Sequence, residues 1–387
     1  MPAASKEKEK VLEREGTTRH RKIGPYRVLG PLGQGGMALV YRGLHETLQR
    51  EVAIKELLPH AAKDRDMLSR FRREALALAS FRHQNIVSVY DLVEKNGGQF
   101  LILEYVDGPT LSELLKQGAF PPIVVAVIGA RLASALEHVH FHRIIHRDLK
   151  PANVMLSRTG EVKLMDFGIA RDEDLGPLTK TGMAVGTPAY MSPEQVSGSQ
   201  IDARTDLYTL GVVLYECAAG LRPFSGNSPG EVFARVRDGK FKPLAKVAPK
   251  VPAPLLRIIK KLMQTEQENR YFDASELRRD LEAFLASELK VSESGLLMAF
   301  LRHRNKISET DALARLTARE LDIARLFDSQ SAQSEVINLD SVLLEELKVE
   351  KRSGWRWMFG LLFVGALGAA AWLHPRWLPL VLEYLPK

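Results

Sequence analysis

Asp148, Lys150, Asn153 and Asp166 lie close together in the chain, between and at the ends of apolar, β-branched runs. Residues 154–156 and 162–165 read as short strands, and Ser157-Arg158-Thr159-Gly160 reads as the turn between them. Such a hairpin brings both acidic groups to one end of the unit. The set suits phosphoryl transfer. One Asp can accept the proton of an attacking hydroxyl. A second Asp and an Asn offer hard oxygen ligands to Mg²⁺, and a Lys offsets charge on a moving phosphate.

Elements elsewhere must position this set. Residues 26–30 read as a strand that enters Leu32-Gly33-Gln34-Gly35-Gly36-Met37-Ala38-Leu39-Val40. Glycines there let the backbone approach a ligand and turn free amides toward phosphates. Val52-Ala53-Ile54-Lys55 alternates as a half-buried strand, so Lys55 can point into a cleft. Glu74 is the only Glu between Leu57 and Val93, within a run of good helix formers. His83-Gln84-Asn85-Ile86-Val87 reads as the start of a strand, Asn96-Gly97-Gly98 as a hairpin turn, and 100–108 as a buried strand ending in a loop. Residues 111–115 and 123–142 carry helix-spaced apolar residues, and Asp206 opens an apolar helix to Gly220.

His146-Arg147-Asp148-Leu149-Lys150-Pro151-Ala152-Asn153 and Asp166-Phe167-Gly168 resemble the catalytic loop and metal-binding motif of protein kinases. The other motifs stand in family order. The chain is therefore identified as resembling Hanks-type Ser/Thr kinases, with the closest stylistic likeness to bacterial transmembrane members. The resemblance implies an α+β, bilobal fold with a small β-rich N-lobe and a mainly helical C-lobe. It assigns Asp148, Lys150, Lys55 and Glu74 to catalysis, with Glu74 paired to Lys55. Asn153 and Asp166 would hold Mg²⁺, with Mn²⁺ as the alternative.

ATP would lie against Leu32, Gly33, Gln34, Gly35, Gly36, Met37, Ala38, Val40, Ala53 and Lys55, with the backbone of Glu104 and Val106 on the adenine edge and Leu103 as gatekeeper. Ala38 departs from the family's third lid glycine. By the same likeness Asp206 braces the catalytic loop around His146 and Arg147, and Arg270 pairs with Glu194. Ser192 stands where most kinases have Ala. Thr179 and Thr181 lie in the activation segment, and Arg147 beside Asp148 suits pairing with a phosphothreonine. A pseudokinase scaffold is the rival reading; it would lack a motif Lys, Asp or Asn, and none is missing. A small-molecule kinase would lack the Ser192-Pro193-Glu194 segment.

With 45% hydrophobic and 26% charged residues, the 387-residue chain is globular. The formal charge of +7 is spread along it, with concentrations near both ends, which favours a membrane surface over nucleic acid. The single Cys217, in an apolar run, excludes an internal disulfide and reads as a buried small hydrophobe. His138, His140 and His142 do not share one helix face, which argues against a metal cluster.

The expected organisation is a charged tail over 1–25, a kinase domain over 26–285, a cytoplasmic juxtamembrane spacer with short helices over 286–354, a transmembrane helix over 355–373 and a short outer tail over 374–387. Trp357 to Leu373 carries no charge, spans about 25 Å as a helix, and is bracketed by Trp355 and Trp377. Lys348, Lys351, Arg352 and Arg356 precede it. The positive-inside rule then puts the kinase domain in the cytoplasm of a cell with this helix in its inner membrane. Small pairs at Gly365/Ala369 and Ala366/Ala370 offer a homodimer contact. The expected partners are proteins bearing Ser or Thr, and the outer tail is too short for a sensor domain.

Overall fold

A computed structural model describes residues 21–35, 38–58, 61–62, 64–167 and 188–328, with the side chains of Arg70 and Glu74 outside that set. The expected membrane helix, the outer tail, Gly36, Met37, Thr179 and Thr181 lie outside the described residues. One compact unit runs to Ala324.

Its first part is a six-stranded antiparallel sheet in the order β1-β2-β3-β4-β6-β5. The strands are β1 (Lys22–Ile23), β2 (Tyr26–Gln34), β3 (Ala38–His45), β4 (Arg50–Leu57), β5 (Val89–Lys95) and β6 (Gly98–Glu104). Period-two alternation separates their faces. Val52 and Ile54 of β4 join Val28, Tyr41, Phe100 and Ile102 in one core. Leu57 and Leu101 face the other way and pack on Phe71 and Ala75 of helix α1 (Arg65–Ala79). Asp64 caps α1 by accepting from the backbone N–H groups of Asp66 and Met67.

The charged tail expected through residue 25 gives way earlier to ordered chain. Arg21 forms a bidentate pair with Glu56, and Ile23 is buried in the sheet core. A buried apolar residue and a paired guanidinium outweigh the polar composition that the tail shares with its last residues. Residues 83–87, expected as the start of a strand, are a loop. Ile86 makes a single bridge to Leu164, and the strand itself starts at Val89.

The second part is helical. Helix α2 (Leu111–Leu115) starts on a capping box between Thr110 and Glu113. Helix α3 (Pro122–Phe141) and helix α5 (Ala203–Ala219) are apolar around most of their circumference, and both are buried at the centre of the lobe. By length and composition α3 could cross a membrane, but it is the core helix here. Between them come the hairpin β7 (Val154–Leu156) and β8 (Val162–Leu164), then α4 (Pro193–Ser197). Around them pack α6 (Pro229–Arg237), α7 (Leu244–Val247), α8 (Ala253–Leu262) and α9 (Ala274–Glu288).

The segment expected as a juxtamembrane spacer begins by packing on this lobe. Helix α10 (Glu293–His303) buries Leu296, Leu297, Met298, Phe300 and Leu301, and α11 (Glu309–Arg315) follows. Arg131 of α3 pairs with Glu293. Gly160, at the tip of the β7–β8 hairpin with φ +78°, has no space for a side chain. A Cβ there would lie 2.2 Å from the Ser294 carbonyl oxygen. The apolar stripe of 296–304 therefore covers the lobe itself.

Candidate active site

The cleft between sheet and helical lobe has a volume of about 730 Å³ and is lined from both sides. From the sheet come Leu32, Gly33, Gln34, Gly35, Ala38, Val40, Ala53 and Lys55. Ala53 and Lys55 alternate along β4 with the core residues Val52 and Ile54, so the same alternation that buries those two turns these toward the cleft. Ala38 begins β3 and does not have positive φ, so the missing lid glycine requires no strained backbone. The Gly35 N–H donates to the Ala38 carbonyl at 2.8 Å, which closes the lid turn.

At the far wall, the β7–β8 hairpin gathers the polar set. Lys150 Nζ lies 2.6 Å from Asp148 Oδ2, and Asn153 Nδ2 donates to the Asp148 carbonyl at 2.9 Å and to its Oδ2 at 3.2 Å. With its amide nitrogen engaged, Asn153 keeps its carbonyl oxygen as the atom able to meet a cation. Lys55 Nζ reaches across from the sheet to Asp166 Oδ1 at 2.9 Å. The Lys55 charge holds the Asp166 carboxyl below the usual carboxylate range, against the opposing effect of burial. Phe167 turns the other way and packs on His146 at 4.5 Å between ring centroids and on Phe81 at 5.6 Å. Glu74 lies on α1 and its side chain is outside the described set.

The loop that carries Asp148 is held from below. Asp206 Oδ2 accepts from the His146 backbone N–H at 2.8 Å, and its Oδ1 from that of Arg147 at 2.9 Å. These bonds fix a turn in which Arg147 takes a φ of +62°, a conformation costly for a side chain of its size. Burial would raise the Asp206 carboxyl, but the His140 contact at 2.8 Å and the His146 donor bring it down instead. Burial keeps the His146 imidazole below its ordinary pKa, hence neutral near pH 7.

Two pairs brace the surroundings. Arg270 meets Glu194 with two parallel bonds of 2.8 and 2.9 Å, and Thr205 donates to the same carboxylate at 2.6 Å. Every other Arg270 donor direction ends on a backbone carbonyl, at Gln264, Thr265 or Arg204. Ser192 caps α4 in a reciprocal box with Gln195, which explains a hydroxyl where relatives carry a methyl. Gln195 then donates to the Arg147 carbonyl at 3.1 Å, tying α4 to the catalytic loop.

At the hinge, Glu104 and Val106 are among the residues that line the cleft. The side-chain clamp on Glu104 has no local signal in the sequence. Lys163 reaches its Oε1 at 2.6 Å and the Ser88 N–H its Oε2 at 3.1 Å. His140 was likewise missed as a partner of Asp206. Spacing along one helix cannot reveal a contact made 66 residues away. His138 and His142 stack on each other at 4.7 Å and against Phe81.

Residues 26–280 match the family described as protein kinase domain. The chain is 42% identical over 258 residues to the serine/threonine-protein kinase PknB of Mycobacterium tuberculosis, covering 65% of this chain and 41% of that one. It is 37% identical over 271 residues to the serine/threonine-protein kinase PrkC of Bacillus subtilis, covering 70% and 42%. The crystal structure of the Mycobacterium tuberculosis PknI kinase domain superposes with a TM-score of 0.54 at 26% identity, over 68% of this chain and 98% of that one. The chain thus spans about two fifths of the length of the curated relatives.

Proposed function

The chain belongs to the protein kinase family, and from that premise we propose that it transfers the γ-phosphate of ATP to Ser or Thr hydroxyls of proteins. The observation that supports the reading is that Asn153 bonds both the Asp148 carboxylate and, at 3.4 Å, the Asp166 carbonyl, which brings Asp148 and Lys150 beside the Lys55–Asp166 pair of the cleft. The donor set fits the cofactor too: the Asn153 carbonyl oxygen and the Asp166 carboxylate are hard oxygen ligands of the kind Mg²⁺ or Mn²⁺ takes. A bound divalent ion would neutralise charge on the phosphate oxygens.

Asp148 orients the substrate hydroxyl and accepts its proton. Lys150, already 2.6 Å from that carboxylate, is within reach of the group being transferred and offsets its charge. Lys55 holds the α- and β-phosphates, and the apolar walls from Leu32, Val40 and Ala53 exclude water from the base. Positioning and electrostatics account for most of the rate in this chemistry.

Three further parts rest on sequence. Autophosphorylation of Thr179 and Thr181 would order the activation segment through Arg147. The uncharged run over 355–373 would anchor the chain in the inner membrane with its kinase domain in the cytoplasm. The small-residue pairs within that run would let two copies associate.

The test is phosphorylation of the chain itself and of a Ser/Thr protein substrate by the full chain in detergent, with phosphosite mapping, beside Lys55→Met and Asp148→Asn. Activity lost in both variants supports the reading. Phosphate on Thr179 or Thr181 in Asp148→Asn, purified from a host without kinases, would remove autophosphorylation. A wild-type chain that binds ATP and transfers nothing would favour a scaffold.

A further inference from the structure

Lys306 lines the same cleft as the lid and the hinge, although it lies beyond the residues that match the family. Its backbone is set by a complete Schellman closure of α10. The Asn305 N–H donates to the Arg302 carbonyl at 2.9 Å and the Lys306 N–H to the Leu301 carbonyl at 2.8 Å. Asn305 takes the left-handed φ of 54° that this closure needs. Anchors stand on both sides. Arg304 is 7% exposed and donates to the carbonyls of Gln117, Gly118 and Ala119, while Ile307 is 6% exposed.

Those anchors locate Lys306 along the cleft. Arg304 sits on the turn that follows α2. Ile307 lines a separate cavity of about 410 Å³ behind the hinge, together with Glu104, Tyr105, Val106 and Asp107. Lys306 therefore stands at the hinge end of the cleft, not at the Lys55–Asp166 end. Polar neighbours there are already engaged. Thr110 and Glu113 bond each other in the α2 cap, and Asp107 pairs with Arg158 at 3.4 Å. Among the described residues the Lys306 ammonium has no hydrogen bond or ion pair.

We propose that Lys306 is a nucleotide-binding residue whose ammonium donates to the sugar hydroxyls of the nucleoside, so that the segment after the family-matched region completes the ATP site. The proposal rests on the reading of the cleft as a nucleotide site. Because the sugar is common to ATP and adenosine, the contact strengthens both equally. It also makes nucleotide affinity depend on how α10 is seated.

The experiment is direct binding of ATP, adenosine and 2′,3′-dideoxyadenosine to the full chain in detergent, for wild type, Lys306→Met, Lys306→Ala and Lys306→Arg. Met keeps the length of the side chain and removes the donor; thermal unfolding checks that each variant is folded. One lost hydrogen bond predicts about three- to tenfold weaker binding of ATP and adenosine alike, recovery in Lys306→Arg, and no change for the dideoxynucleoside. Unchanged affinity for adenosine in Lys306→Met overturns the proposal. So does a loss confined to ATP, which would put the ammonium on phosphate, or an equal loss for the dideoxynucleoside. A wild-type chain that binds neither ATP nor adenosine overturns the kinase reading itself, a result separate from a variant that matches wild type.

Discussion

Lys163 on β8 and Glu104 at the end of β6 form an ion pair of 2.6 Å, with side chains only 10% and 20% exposed. It joins the hairpin that carries Asp148 and Asp166 to the strand that leads into the hinge. The pair ties the catalytic wall of the cleft to the base-binding wall, alongside the Lys55–Asp166 pair, the bonds of 3.0 and 2.8 Å between Leu164 and the 85–87 loop, and the bond of 2.8 Å from the Arg158 N–H to the Asp107 carbonyl.

Lys163→Met leaves the Glu104 carboxylate with only the Ser88 N–H. A partly buried charge left without its partner costs about 1–3 kcal/mol. The expected result is a lower urea midpoint and weaker ATP binding, with part of the stability recovered in Lys163→Met combined with Glu104→Gln. If the single variant matches wild type in both measurements, the pair does not hold the two walls together.

Acid should loosen the protein before its carboxylates titrate. Burial lowers the pKa of His83, and the neighbouring His138 lowers it further; burial likewise lowers that of His138, with His142 adding to it. A folded-state imidazole held below its unfolded value of about 6.5 binds its proton less readily than the unfolded chain does. Stability is therefore unaffected above about pH 7 and declines as pH falls through the unfolded pKa near 6.5. Thermal midpoints at pH 7.5 and 5.5 should separate for wild type. In His138→Phe the gap should narrow, because one imidazole and its repulsion of His83 are gone. Parallel behaviour of the two proteins would exclude the histidine cluster as the source of the acid sensitivity.

What the sequence made legible follows from how far each signal reaches along the chain. The direction of Lys55 was readable because it depends on alternation within four residues of one strand. The hairpin under Asp148 and Asp166 was readable for the same reason: two β-branched runs flank a Gly-containing turn. The contacts of Asp206 with His146 and Arg147, and of Arg270 with Glu194, were reached through family likeness, since nothing local to either partner announces them. His140 escaped because it was weighed only against its own helix neighbours, whereas its partner arrives on α5. The 83–87 segment looked like a strand because it ends in the β-branched pair Ile86-Val87. Those residues pack on β8 through one bridge without pairing in a sheet.

The largest departure concerns α10, and it leads to a prediction about where the folded unit ends. Helical spacing was visible over 296–304, but spacing alone does not say which surface a stripe covers. Phe300 is fully buried and stacks on Phe120 at 4.9 Å, and the Arg304 guanidinium lies 5.2 Å from the Phe300 ring. Phe300→Ala should therefore cost about 3–5 kcal/mol, the range for emptying a core aromatic site. It should also unseat Arg304 from the 117–119 carbonyls. Leu313→Ala, at a side chain 59% exposed on α11, should change stability by less than about 0.5 kcal/mol. A fragment ending at Ser287 would expose the surface that α10 covers and should lose cooperative unfolding or aggregate, whereas one ending at Asp328 should unfold cooperatively. Urea unfolding of the two fragments and two variants decides the matter. A Ser287 fragment as stable as the longer one would mean that α10 rests on the lobe without supporting it.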